Sequence, residues 1–249
     1  MTPLISAHGL TVKYGDYTVL DKVNLDIYPR DFIGIIGPNG GGKTTLVKAL
    51  LKSIPYSGSV DYAPEITADG YRSIGYLPQQ NHFDRSFPIS VLDVILSGLQ
   101  ARKGLWKRYR KADVQKAAAL MRTTGITTIA RKPIGELSGG QMQRALLCRA
   151  LISDPRVLIL DEPANFVDNK FEKELYQILQ QLNEHMAIVM VSHDIGTITS
   201  VVRTIVCVNH SVHRHNSNII TAEQLDNYNC PIQLISHGEI PHTVLKKHE

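Results

Sequence analysis

The apolar residues of this chain form short runs and helical repeats that alternate along most of its length. Alternating or continuous apolar stretches near the start predict strands at residues 4–12, 23–28 and 33–37. Apolar residues at helical spacing predict helices at residues 44–52, 91–99, 111–123 and 142–152. Buried strands are also predicted by the apolar runs at residues 157–160 and 187–191. Strands that alternate with helices in this way predict an α/β fold.

The composition is that of a soluble globular protein of slightly more than average domain size. The chain has 249 residues, of which 43% are hydrophobic and 20% are charged, and it has no internal repeat. No apolar run approaches the roughly 20 residues that span a bilayer, and the N-terminal segment lacks the features of a signal peptide. Three widely separated cysteines favour reduced thiols. We therefore expect a cytoplasmic protein.

A glycine-rich loop at residues 37–45 (GPNGGGKTT) follows a predicted strand and precedes a predicted helix. It fits the phosphate-binding pattern GxxxxGK[ST], with Gly37, Gly42, Lys43 and Thr44 at the fixed positions. Glycines let backbone N–H groups close around phosphate oxygens, and the helix N-terminus adds partial positive charge. In this pattern the lysine reaches the β- and γ-phosphates, and the hydroxyl of Thr44 can bind Mg²⁺.

A second glycine pair lies at residues 137–141 (LSGGQ), immediately before the helix predicted at 142–152. Ser-Gly-Gly alone is ordinary turn chemistry, but at a helix start it forms another anion-binding end. After that helix comes the strand 157–160, which ends in Asp161 and Glu162. In α/β sheets, the end of a strand is where ligands bind.

Two adjacent carboxylates suit the transfer of a phosphoryl group to water. Such a reaction needs an aligned water and neutralised phosphate charge more than covalent chemistry. Asp161 would serve Mg²⁺, while Glu162, one residue beyond the strand and facing the opposite way, would accept a hydrogen bond from the attacking water. His193 follows another predicted strand and would hold the γ-phosphate, although a solvated histidine has the same local pattern.

Taken in order, these motifs resemble the ATP-binding cassette subunit of an ABC transporter over about residues 4–215. The resemblance implies a P-loop NTPase fold: an ABC-type nucleotide-binding domain with an antiparallel β subdomain, a mixed sheet core and a helical subdomain inserted at about residues 80–136. Residues 216–249 would form a histidine-containing C-terminal extension.

The resemblance also assigns roles to individual residues. For hydrolysis it implies Glu162 as the base, His193 as the switch histidine and Gln79 as the Q-loop glutamine. The residues implied for Mg²⁺ are Thr44, Gln79 and Asp161. Residues 164–168 read ANFVD where the family usually has TSALD, so only the last of them is carried over. The implied ATP contacts, with Tyr14 stacking on adenine, are Tyr14, Gly37, Asn39, Gly40, Gly41, Gly42, Lys43, Thr44, Thr45, Ser138, Gly139, Gly140, Gln141 and Asp168.

Partners follow from the same resemblance. Ser138 of one cassette would cover the phosphate loop of a second copy, so that a homodimer sandwiches two ATP molecules head to tail. Residues 81–99, amphipathic and containing Phe83 and Phe87, would form part of a groove for a helix of an integral membrane permease subunit. From periodicity alone, the same stretch is equally the start of a packed helix. The resemblance places the subunit peripherally on the cytoplasmic face of the inner (cell) membrane.

A basic run with interleaved aromatics lies at residues 102–111. This pattern can indicate nucleic acid, but a solvated helix connection is commoner, and near anionic lipid each cation would add about 1 kcal/mol of attraction. The net charge of +4 does not decide between them, and we expect no nucleic-acid partner.

Six of the ten histidines follow residue 209. Imidazole is a common metal ligand, but the histidine spacing does not match a closed zinc site and also fits exposed side chains. The segment 236–245 (SHGEIPHTVL) is similar to the tail of zinc and manganese uptake ATPases, as is Gly41, where many cassettes carry serine. This similarity implies import of a divalent transition metal, with an extracytoplasmic metal-binding protein as an indirect partner.

Two other functions fit the cassette pattern. One is a soluble ABC-type ATPase that remodels a ribosome, a nucleic acid or a cluster-assembly complex. The other is a metal-sensing regulatory dimer in which hydrolysis is secondary. The length of a single cassette and the expected groove around Gln79 favour the importer.

Overall fold

The computed structural model describes residues 1–67, 73–79, 88–100, 108–164, 169–215, 232–236 and 241–245. The chain divides into two compact units. The first comprises residues 1–63 with 183–249, and the second comprises residues 64–182.

The first unit contains an antiparallel sheet. Its strands are β1 (Ile5–Tyr14), β2 (Tyr17–Ile27) and β4 (Ser57–Tyr62), in the order β2-β1-β4. In the first half of β1, buried side chains alternate with half-buried or exposed ones, which is the pattern of a sheet with one covered face. β2 begins earlier than the sequence predicts, because Tyr14 and Tyr17 pair across a tight turn that contains Gly15 at φ 59°.

The first unit also contains a mixed sheet. β3 (Phe32–Ile36) lies between β7 (Ala187–Val191) and β8 (Thr204–Asn209) and is parallel to both. β9 (Ser211–His215) is antiparallel to β8. Every residue of β3 and β7 is buried, which explains why these strands are continuous apolar runs.

Two helices and a pair of C-terminal strands complete the first unit. The helices are α1 (Lys43–Leu50) and α7 (Ile195–Val201), and the strands are β10 (Ile232–Ser236) and β11 (Pro241–Leu245). β10 and β11 form an antiparallel pair, which the sequence pattern does not predict.

The second unit has a parallel strand pair and most of the helices that the structure describes. Its strands are β5 (Ile74–Leu77) and β6 (Val157–Asp161), and its helices are α2 (Pro64–Thr67), α3 (Val91–Ser97), α4 (Lys111–Thr123), α5 (Gly139–Leu151) and α6 (Asn169–Asn183, whose last residue belongs to the first unit). α3 and α4 both pack on α5. Single turns of 3-10 helix lie at Thr127–Ile129 and Ile134–Glu136.

The predicted α/β class is confirmed, with an antiparallel sheet, a mixed sheet and helices. One helix start differs from the prediction: α5 begins at Gly139 rather than at residue 142, so both glycines of residues 137–141 lie within its first turn. Within the described ranges, no helix has the length and apolar character needed to cross a bilayer.

Candidate active site

The loop after β3 begins at Gly37, a position where the backbone has room only for glycine. Gly37 has φ 150°, and a Cβ atom there would lie 2.0 Å from the carbonyl oxygen of Val208 on β8. Gly42, at φ 101°, is the N-cap residue of α1. The loop therefore runs directly into a helix N-terminus, whose first N–H groups are the groups that hold phosphate in such loops.

Lys43 is the first residue of α1 and is only 6% exposed. Its ammonium group donates hydrogen bonds to the carbonyl oxygens of Gly37, at 2.9 Å, and Pro38, at 2.8 Å. The cation therefore lies inside the loop rather than in solvent. Thr44 and Thr45 follow it in the first turn and are half-buried, while Asn39 and Gly40 are exposed at the tip.

The end of β8 supports the same loop through His210, which the motifs do not indicate. The backbone N–H of His210 donates to the carbonyl of Gly41 at 3.1 Å, and its own carbonyl accepts from the N–H of Asp21 at 2.9 Å. Nδ1 of its ring lies 3.2 Å from the carbonyl oxygen of Val19. The ring also packs edge-to-face against the ring of Tyr17, with 5.8 Å between the two centroids. His210 therefore links the glycine-rich loop at residues 37–45 to β2.

Tyr14 lies at the end of β1 and is 54% exposed. Its partner across the turn is Tyr17, which is 59% exposed. Exposed aromatic side chains of this size provide stacking surfaces for a nucleobase.

In the second unit, Asp161 ends β6 and is completely buried. Burial, and then the negative charge of Asp161, raise the pKa of Tyr76 on the neighbouring strand β5 to about 12. The phenol of Tyr76 therefore stays protonated near neutral pH.

Glu162 follows Asp161 in a left-handed backbone conformation, with φ 54° and 7% exposure. Because β6 ends at Asp161, the alternation of a strand does not set the direction of the Glu162 side chain; the turn does. The carboxylate accepts a hydrogen bond from the side-chain amide of Gln79 at 2.5 Å. The structure therefore brings together two of the residues predicted for hydrolysis.

Ser138 is the N-cap residue of α5. Its hydroxyl accepts from the N–H of Gln141 at 3.3 Å, and the Gln141 side chain accepts from the N–H of Ser138 at 3.2 Å. This reciprocal pair fixes the helix start. Ser138, Gly140 and Gln141 line a cavity of about 300 Å³ together with Arg144 and Phe171.

A family model described as "ABC transporter" matches residues 20–165. The chain belongs to the ABC transporter family. Its motifs therefore lie in an ATP-binding cassette, and the chain is an ATPase of the ABC type.

Relatives of this cassette are similar over most of its length. It is 37% identical over 247 residues to a probable metal transport system ATP-binding protein of Thermotoga maritima, covering 96% of this chain and 97% of the relative. It is 39% identical over 213 residues to the zinc import ATP-binding protein ZnuC of Histophilus somni, covering 84% of this chain and 74% of the relative. It is 39% identical over 195 residues to the manganese transport system ATP-binding protein MntB of Bacillus subtilis, covering 78% of each.

Solved structures share the fold. A chain of an inward-facing ABC transporter, described as of metal-chelate type, superposes with a TM-score of 0.81 at 25% identity, covering 99% of this chain and 98% of that one. A nucleotide-free ATP-binding cassette superposes with a TM-score of 0.74 at 19% identity, covering 91% and 94%. The second likeness concerns the fold alone.

Side chains of this ABC ATPase fit Mg²⁺ by their chemistry. The buried carboxylate of Asp161, the hydroxyl of Thr44 and the side-chain carbonyl of Gln79 are all oxygen donors, which Mg²⁺ prefers over nitrogen or sulfur.

The remaining predicted residues are placed only in part. His193 is exposed just beyond β7, and Asp194 beside it caps α7 by accepting from the N–H of Thr197 at 3.2 Å. Asp168 lies outside the described residues, as do Phe83 and Phe87 of the expected permease groove.

The histidines near the C-terminus do not form a metal site within the described part of the chain, where no group of three or more His, Cys, Asp or Glu side chains could hold an ion. His215 on β9 has a pKa below its usual value, because burial and then the neighbouring His213 disfavour its charged form. His237 and His248 lie outside the described residues, and for His242 only the backbone, in β11, is described.

Proposed function

We propose that this ABC ATPase energises the uptake of a divalent transition metal, zinc or manganese, through a separate membrane permease. The observation that carries the proposal is the similarity to metal, zinc and manganese transport ATP-binding proteins, which extends over 96%, 84% and 78% of this chain. In this proposal the metal is cargo handled by the partners, and the cassette supplies the work of ATP hydrolysis.

The described residues divide the chemistry of hydrolysis between them. Lys43 and the N–H groups of residues 37–45 bind the β- and γ-phosphates, and Tyr14 stacks on the adenine. Glu162 accepts the proton of the attacking water, while Gln79 and His193 orient the water and the γ-phosphate. Thr44, Gln79 and Asp161 would hold Mg²⁺, which would supply positive charge to the phosphate oxygens.

Two copies of the cassette complete each site. Ser138 and the glycines of one copy close on the γ-phosphate at the loop of the other, because the N-terminus of α5 is an anion-binding end. ATP holds the dimer closed and hydrolysis releases it, which gives a two-state movement. The permease receives this movement at the cytoplasmic face of the membrane, and an extracytoplasmic binding protein delivers the metal.

Reconstitution tests this proposal. The cassette is co-expressed with a candidate metal permease of its own organism, placed in proteoliposomes and supplied with MgATP. Uptake of radioactive Zn²⁺ and Mn²⁺ is measured with and without a candidate extracytoplasmic binding protein. We expect ATP-dependent uptake of one or both metals and none with Glu162→Gln. Robust ATP hydrolysis with uptake of neither metal would refute zinc and manganese as the transported substrates, while the assignment as an ATPase would stand.

A further inference from the structure

A buried glutamine joins α5, the helix that starts within residues 137–141, to the turn that carries Glu162, the proposed base. Gln143 lies on α5, five residues after Ser138, and is 2% exposed. Its side-chain amide donates to the carbonyl oxygen of Pro163 at 2.7 Å. Pro163 directly follows Glu162, so one side chain connects α5 to the backbone beside this carboxylate.

The conformation of Glu162 needs support from outside. A left-handed φ of 54° is rare for a residue other than glycine and persists only where the surrounding structure holds it. Two hydrogen bonds act at this turn, one on the side chain of Glu162 and one on the backbone of the next residue. Gln79 donates to its carboxylate, and Gln143 donates to the carbonyl of the residue that follows it.

We propose that Gln143 is a positioning residue for Glu162. By holding the Pro163 carbonyl it fixes the turn in which Glu162 adopts its left-handed conformation, and so fixes the direction of the carboxylate. This proposal rests on the proposed role of Glu162 as the base. Because α5 is continuous from Gly139 to Leu151, Gln143 also connects the N-terminal end of that helix to the turn that carries Glu162 within one subunit.

Replacing the amide without changing the size of the side chain tests the proposal. Gln143→Met removes the donor and keeps a similar volume, and the steady-state rate of MgATP hydrolysis is measured well below the melting temperature of each variant. We expect kcat to fall about ten- to hundredfold, as when a reacting group is misplaced, with KM for ATP within about twofold of wild type. The matched control is Gln177→Met, at an exposed position of α6, which should leave kcat unchanged.

A double variant separates positioning from a general structural effect. If Gln143 acts through Glu162, adding Gln143→Met to Glu162→Gln should lower the residual rate no further, because there is no base left to misplace. Losses that multiply in the double variant would overturn the proposal. So would a wild-type kcat for Gln143→Met.

Two further outcomes are distinguishable. If Gln143→Met does not fold, Gln143→Asn provides the test, because its side chain is one methylene shorter and its amide cannot reach the Pro163 carbonyl in the same way. An unchanged kcat in Gln143→Asn would overturn the proposal. If Glu162→Gln hydrolyses ATP at the wild-type rate, the proposed base is wrong, and the role of Gln143 falls with it. A loss in Glu162→Gln with full activity in Gln143→Met refutes the positioning role alone.

Discussion

The side-chain amide of Gln79 donates a hydrogen bond to the carboxylate of Glu162, with 2.5 Å between nitrogen and oxygen. Gln79 follows β5 and Glu162 follows β6, and these two strands are parallel neighbours whose carboxyl ends lie at the same edge. The loop after one strand can therefore orient the carboxylate after the other.

Glu162→Gln should abolish turnover while preserving nucleotide binding. The amide is nearly the same size as the carboxylate but cannot accept the proton of water, and removal of a general base costs about 10²–10⁴-fold in rate. Hydrolysis is measured by phosphate release, and closed dimers by light scattering in MgATP. Glu184→Gln, at an exposed position, is the matched control and should retain full activity. Turnover within a few-fold of wild type would remove Glu162 from its proposed role.

Lys43→Ala should weaken ATP binding itself. The ammonium group is buried within the loop, so its loss removes a charged partner of the phosphates and its own contacts to Gly37 and Pro38. A hydrogen bond to a charged group contributes about 1.5–3 kcal/mol, which corresponds to a Kd raised by about ten- to hundredfold. Isothermal titration with MgATP measures this. Lys48→Ala, on the exposed face of the same helix, should bind as wild type does.

The sequence predicts the elements of this cassette better than it predicts their contacts. Continuous apolar runs identify β3, β6 and β7, because strands buried on both faces are apolar along most of their length; in β6 only the last residue, Asp161, is charged. The supporting contacts of His210 and Gln143 join residues far apart along the chain. Such contacts follow from packing and leave no spacing signal. The direction of the Glu162 side chain likewise does not follow from the alternation of side chains along a strand, because Glu162 lies beyond β6 and has a positive φ.

Gly41→Ser should destabilise the fold, although many cassettes carry serine there. A Cβ atom at this position would lie 2.8 Å from the backbone carbonyl of Val208 and 3.1 Å from Pro38, so the end of β8 would have to shift. Overpacking of this kind costs about 1–3 kcal/mol. The free energy of unfolding in urea measures the loss. Gly140→Ser, where a Cβ would meet no neighbour within 4 Å, is the stability control. Equal free energies of unfolding for the two variants would mean that the end of β8 shifts without destabilising the fold.

Stability should fall in alkaline solution partly through Cys148. Burial raises the pKa of this thiol from 9.0 to about 11, so the folded chain retains a proton that the unfolded chain releases. The stabilising contribution is therefore complete below about pH 9 and is lost as pH rises through about 11, for a total of about 2–3 kcal/mol. Urea unfolding of wild type and Cys148→Ala measures it. The variant should show a smaller fall between these two pH values and a parallel curve between pH 7 and 8.5, where the thiol is protonated in both states. Identical alkaline slopes would show that Cys148 does not control this loss.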